Sequence, residues 1–173
     1  MKIATYPFSL RSLRLCVFAF NPYIHLRKFL CDFAFKISSK LINKDVFSME
    51  NELSYQIIGA SIEVQKELGG PGLLENIYEE ALYQELALQG LSVQRQVVVD
   101  VAYKGIKLKH PMFLDLLIND RVIVEVKATE NDNPIFYNQL LTYLRLTKRK
   151  LGLIINFGEA QVKNGVQRVV NGL

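Results

Sequence analysis

The segment Leu151-Gly152-Leu153-Ile154-Ile155-Asn156-Phe157 is apolar almost throughout, and it narrows the folds open to this chain more than any other feature. A strand with one wetted face alternates apolar and polar residues, so a continuous apolar run belongs in the middle of a sheet covered on both sides. Just before it, Asn133-Pro134 reads as a helix N-cap and first helical residue, and Ile135, Leu140, Leu141, Leu144 and Leu146 carry a helix to about Thr147. Before that helix lies the strand-like run Val122-Ile123-Val124-Glu125-Val126-Lys127-Ala128. Strand, helix, strand is the pattern of a crossover, which packs its helix on the sheet it joins.

Upstream, Val97, Val99, Val101 and Tyr103 alternate with Gln96, Val98, Asp100 and Ala102, and Lys104-Gly105 is a two-residue hairpin signal. Three strands are predicted near 94–103, 106–118 and 121–128. Ahead of them, Ile57, Ile58, Ile62, Val64 and Leu68 recur at helical spacing until Gly69-Gly70-Pro71-Gly72 stops the helix. A second helix is predicted over about 73–88, with Gly90 as its C-cap. A last short strand is expected near Val166–Val170. Two helices, a three-stranded meander, a crossover helix and one or two further strands make an α/β fold with a mixed β-sheet flanked by helices.

The first 48 residues differ from the rest. They hold eight Lys or Arg against two acids, net +6, whereas 49–173 holds thirteen against fifteen, net −2. The compact part is therefore not a basic protein, and its overall field does not favour tight nonspecific binding of a polyanion. Both cysteines, Cys16 and Cys31, lie in the leading segment without a second ligand at metal spacing, so no disulfide framework or zinc site is expected. A core without cysteine fits a cytoplasmic protein. The patch Leu15–Phe20 is too short for a membrane helix and ends at Asn21-Pro22 rather than at a small-residue cleavage site. Residues 1–48 read as a basic N-terminal extension, with Met49 as a second candidate start and 49–173 as the one domain. A transit peptide or a surface-binding segment is the alternative reading of the extension.

Within the strand 122–128, successive side chains alternate faces, so Glu125 and Lys127 share one face while Val122, Val124 and Val126 line the other. Burying an acid and an amine costs free energy unless they pair or bind an ion. An acid ten residues earlier, Asp115, is the natural companion, but only if the hairpin between them has the right register. A plain two-residue loop at Asn119-Asp120 sets Asp115 opposite Val124 and away from Glu125. A three-residue loop or a bulge sets it opposite Glu125. A shared site thus requires an irregular turn at Asn119–Arg121.

The stretch Gly72-Leu73-Leu74-Glu75-Asn76-Ile77-Tyr78 is a literal GxxExxY. With Asp115, Glu125-Val126-Lys127 and Gln139-Leu140-Leu141-Thr142-Tyr143 following in order, the chain from about Leu53 to Leu173 resembles the GxxExxY proteins of the PD-(D/E)XK nuclease superfamily. The last motif is similar to the QxxxY helix of RecB-like members. One departure is that Phe113-Leu114 precedes the aspartate, where the nominal motif has proline. The resemblance implies a restriction-endonuclease-like core and a metal-dependent nuclease hydrolysing phosphodiester bonds in DNA.

The chemistry agrees with that implication. Oxygen ligands from Asp115 and Glu125, with Glu75 as a further candidate, suit Mg²⁺ or Mn²⁺, which would supply an activated water and offset charge on the phosphate. Lys127 would stabilise the attacked phosphate or the nucleophile, and Gln139 would orient water or substrate. Catalytic roles accordingly fall to Asp115, Glu125, Lys127 and Gln139, and metal ligation to Asp115, Glu125 and Glu75. Nucleic acid is the expected partner, with a protein partner also open, no membrane and no oligomeric state assigned. The competing reading is a non-catalytic nucleic-acid-binding or protein-interaction module on the same fold. Tyr78 and Tyr143 read as core aromatics with tethered hydroxyls, and Glu79 as a first-turn helix acid favoured by the dipole. The clusters Lys104/Lys107/Lys109 and Lys148/Arg149/Lys150 read as solvated faces, with phosphate contact as the alternative.

Overall fold

The structure, a computed structural model, describes residues 49–172; the leading basic extension lies outside them. The first helix, α1, is helical over 49–67 and buries Leu53, Ile57, Ala60 and Val64. These positions repeat every three or four residues and form one stripe. Ile62 and Leu68, expected on that stripe, are exposed instead, lying off the line that Leu53, Ile57, Ala60 and Val64 turn to the core. Helix α2 spans Glu75–Leu88 and buries Tyr78, Leu82 and Leu86. It ends as predicted at Gly90, whose φ is +81°. The Gly90 N–H reaches Ala87 O and the Leu91 N–H reaches Leu86 O, the paired bonds that satisfy a helix's last carbonyls.

The main sheet has the order β1-β4-β5-β6-β7, with β1 at Val93–Val99, β4 at Met112–Ile118, β5 at Val122–Lys127, β6 at Leu151–Asn156 and β7 at Val166–Val170. Only β5 and β6 run parallel, joined through helix α3 at Pro134–Thr147. Its N-cap is Asn133, whose side chain accepts the Ile135 N–H at 3.0 Å. The predicted mixed sheet and crossover are thus present, and β6 is buried throughout. Gly152 allows α3 to come close, since a Cβ there would meet Leu140 at 2.7 Å. Helices α1 and α2 cover one face of the sheet and α3 the other.

The long strands expected over 94–103 and 106–118 are each broken. Ala102–Tyr103 and Ile106–Lys107 are strands β2 and β3 of a separate two-stranded ribbon, turned at Lys104-Gly105 as predicted. Pro111 cannot donate to a ladder, so pairing in the main sheet resumes only at Met112. No helix among the described residues is long and apolar enough to cross a membrane.

The turn between β4 and β5 is irregular. Asn119 and Asp120 are left-handed, at φ 50° and 56°, and the Arg121 N–H bonds Ile118 O at 2.9 Å. Pairing restarts at Ile118 with Val122, so Arg121 is an extra residue on one strand only. This shift puts Leu116 opposite Val124 and sets Asp115 on the side of Glu125.

Candidate active site

Strands β4 and β5 part company at the site. Their ladder ends at Leu116 and Val124, and beyond that point side chains replace backbone pairing. The Asp115 carboxylate accepts the Val126 N–H at 2.9 Å, and the Asp115 backbone hydrogen-bonds the Glu125 carboxyl. On the outer side, β1 pairs with β4 on both sides of Gln96 but not at it, and Gln96 has φ 48°. Leu116 packs toward α1 and α2, whereas Leu114 packs toward α3. Asp115 therefore stands where β4 reverses its faces, at the mouth of a fork.

Lys127 fills the fork. Its Nζ lies 3.3 Å from Glu75 Oε1, 3.9 Å from Glu125 Oε2 and 4.0 Å from Asp115 Oδ2, and it donates to Val126 O at 2.9 Å. Phe136, on the first turn of α3, presents its ring 5.5 Å away, a cation–π contact. Glu125 and Lys127 are buried, Asp115 is half-buried and Glu75 is exposed. Of the five residues assigned to the site, Asp115, Glu125, Lys127 and Glu75 lie together, whereas Gln139 makes no bond to them.

Burial pushes the Glu125 carboxyl up to about 8, and the neighbouring Asp115 adds to the rise while Lys127 and the Asp115 backbone oppose it. Burial also raises Asp115, against the pull of the Val126 N–H and Lys127 and with the help of Glu79 and Glu75. Two neighbouring acids, each raised by burial and by carboxylates nearby, mark a place where a cation is wanted.

Glu125 Oε1 is buried with no hydrogen-bond partner among the described residues. A buried carboxylate oxygen left bare calls for a proton or an ion. The donors here are all carboxylate oxygens, the set a hard divalent ion prefers. Among the described residues no three His, Cys, Asp or Glu side chains are arranged as a metal cage; the acids gather round the Lys127 ammonium instead. The donor chemistry thus fits a divalent ion, with the amine standing among the carboxylates.

Gln139 and Tyr143 face the site from α3, and Gln139 Nε2 donates to Tyr143 Oη at 2.9 Å rather than to the acids. Tyr143 is a buried core ring, its hydroxyl raised by burial and by Glu125 and Asp115 and lowered by the Gln139 bond and Lys127. Tyr78 is likewise a core aromatic with a tethered hydroxyl: fully buried, stacked 4.5 Å from Phe157, it donates to Gly70 O at 2.7 Å and accepts the Leu73 N–H at 3.2 Å. Those bonds hold the loop that delivers Glu75. A cavity of about 350 Å³ opens between this loop and the one after Lys127, lined by Gly72, Leu73, Ala128 and Gly158 among others.

Glu79 is not a first-turn surface acid. It lies in the second turn of α2, is 6 % exposed, and is held by Arg95 Nε at 3.1 Å and Gln96 Nε2 at 2.9 Å. Nothing in the sequence of β1 singles out Arg95 or Gln96. Asn156 was also unassigned, although a polar residue closing an apolar strand is a visible signal. Its Oδ1 accepts the Thr129 and Gly158 N–H groups and its Nδ2 donates to Thr129 O, fixing the segment that follows Lys127.

A family model described as the PD-(D/E)XK nuclease superfamily matches residues 51–169, and the five-stranded mixed sheet with its flanking helices is consistent with a restriction-endonuclease-like fold. No curated protein and no solved structure gives a significant match.

Proposed function

We propose that this chain, which belongs to the PD-(D/E)XK nuclease superfamily, hydrolyses phosphodiester bonds in DNA with a divalent metal ion, Mg²⁺ or Mn²⁺. The observation that carries the reading is the convergence of Asp115, Glu125 and Lys127 in the fork between β4 and β5, with Glu125 Oε1 buried and unpartnered. Asp115 and Glu125 would hold the ion, with Glu75 as the exposed third donor. The ion, when bound, supplies a nucleophile at neutral pH and offsets charge on the phosphate.

The chain's own residues do the rest. The Val126 N–H holds one Asp115 oxygen in place, so the carboxylate presents a fixed direction. Lys127, kept close by Glu75, carries positive charge to where negative charge grows on a cleaving phosphodiester. Gln139 is braced by Tyr143 and orients water or a phosphate oxygen. The domain's lack of cysteine supports a cytoplasmic setting.

A second reading, a non-catalytic module that binds nucleic acid or protein, draws on Lys127 already paired among the acids. Calorimetric titration of Mn²⁺ into the full chain separates the two, with Asp115→Ala and Glu125→Ala alongside. The series is repeated in the presence of a phosphorothioate oligonucleotide. Binding by wild type that both variants lose, together with cleavage of unmodified DNA, supports the nuclease. No binding in either series leaves the module.

A further inference from the structure

The chain between β1 and β4 stands off the main sheet, and every residue from 102 to 110 is exposed. Its ribbon is only two residues long on each strand, too short to hold a core of its own. Yet Tyr103 and Ile106 sit on it at 62 % and 70 % exposure. Where the ribbon meets the sheet, Val98 and Phe113 are cross-strand partners. Their neighbours Val97, Val99, Met112 and Leu114 pack toward α3, so alternation turns Val98 and Phe113 to the other side, where both are exposed. Exposed apolar and aromatic side chains thus stand both on the ribbon and at its base, within two residues of Asp115.

The charge of this segment is opposite to that of its domain. Residues 100–113 carry Lys104, Lys107 and Lys109 against Asp100 alone, in a 49–173 domain of net −2. Lys107 pairs with Asp100 at 2.7 Å. Lys104 lies over the Tyr103 ring at 5.5 Å, and neither it nor Lys109 has a carboxylate partner among the described residues. Unpaired ammonium groups beside an exposed aromatic ring make a surface suited to a phosphate chain whose bases are free to stack.

We propose that this ribbon is a docking arm for single-stranded nucleic acid, with Tyr103 and Phe113 as stacking surfaces for bases and Lys104 and Lys109 as phosphate contacts. The arm deepens the phosphodiester reading and rests on it: a strand laid along these side chains is led to the fork at Asp115. Duplex is disfavoured because its bases are already stacked and hide the faces that the rings would meet.

The test is fluorescence anisotropy of labelled single-stranded and duplex oligonucleotides with the full chain in EDTA, over a range of salt. Lys104→Glu/Lys109→Glu is expected to weaken single-strand binding at least tenfold and to flatten the slope of log affinity against log salt by about 1.4 or more, two lost phosphate contacts. Tyr103→Ala is expected to weaken single-strand binding about tenfold, with Tyr103→Trp restoring it. Lys66→Glu, which removes a lysine paired within α1, should leave affinity within about twofold of wild type. These substitutions touch no buried contact, and thermal melts check that each variant folds. If wild type binds but the arm variants bind equally well, the arm is overturned and the phosphodiester reading stands. If wild type binds neither single strand nor duplex, the arm is overturned, while the phosphodiester reading stands or falls by the Mn²⁺ titration. If the variants change only the sedimentation of the nucleic-acid-free chain, the ribbon is a contact between copies and the proposal is overturned.

Discussion

Lys127 Nζ lies 3.3 Å from Glu75 Oε1, an ion pair between the last residue of β5 and the first of α2, 52 positions apart in sequence. It ties the glycine-rich loop before α2 to the acid pair of the fork. Three acids and one amine are thereby drawn to one point, and removing any of them changes what the others require.

Lys127→Ala removes the only cation within reach of Asp115, Glu125 and Glu75 among the ion pairs of the described residues. The remaining acids then repel one another. Stability without metal is expected to fall by about 1–3 kcal/mol, less than for a fully buried pair because Glu75 is exposed. Added Mn²⁺ should raise the melting temperature of the variant more than that of wild type, since an ion bound only by the folded state stabilises it. DNA cleavage should be abolished. Melts with and without Mn²⁺, beside a gel assay, check this; a variant that cuts like wild type would show that Lys127 is dispensable.

The pH dependence follows from Glu125, whose carboxyl rises from 4.5 to about 8 on folding. The folded state holds the proton more tightly, so the stability this group contributes is fully present below about pH 4.5. It falls as pH climbs toward 8, by at most about 1.4 kcal/mol per pH unit for one group. Asp115, also raised, acts in the same direction. Urea midpoints in EDTA should therefore decrease from pH 5 to pH 8, and Glu125→Gln should remove most of the slope. A wild-type midpoint that does not change, or rises, over this range contradicts the burial argument.

What the sequence disclosed and what it hid divide along physical lines. Patterns read over several residues were legible: the apolar β6, the Asn133-Pro134 start of α3, Gly90 and the Lys104-Gly105 turn each encode their conformation locally. The acid pair was legible because charges in an apolar strand need a reason. The register was legible only as an alternative, since an extra Arg121 looks like any other residue until the ladder is seen. The Arg95, Gln96 and Glu79 network was not legible, because a left-handed glutamine in the middle of a strand follows no local rule and is set by tertiary contacts. Ile62 misled because helical spacing marks a stripe without saying which of its edges meets the sheet.

Gly72 and Tyr78 test how the loop before α2 delivers Glu75. Gly72 has φ +119° with open space where a Cβ would stand, so Gly72→Ala costs backbone strain alone, about 1–2 kcal/mol. Tyr78→Phe keeps the stacked ring but leaves the Gly70 carbonyl and Leu73 N–H without their shared partner, costing about 1–2 kcal/mol. Both should also weaken Mn²⁺ binding if Glu75 is a ligand. Chemical denaturation with calorimetry checks each; unchanged affinity in both variants would remove Glu75 from the ligand set.

Arg95 and Glu79 offer the sharpest test of the hidden network. Arg95→Ala leaves the buried Glu79 carboxylate to Gln96 alone, and Glu79 already raises Asp115 through its charge. The single variant is expected to cost about 2–3 kcal/mol, chiefly from the charge left uncompensated. Glu79→Gln/Arg95→Ala removes that charge together with its partner, so it should cost less than the two single changes added. A coupling of about 1 kcal/mol or more in the double-mutant cycle is expected, well beyond the few tenths that independent sites show. Additive costs would mean that Arg95 acts through Glu80 and the Tyr83 ring 5.4 Å away rather than through Glu79.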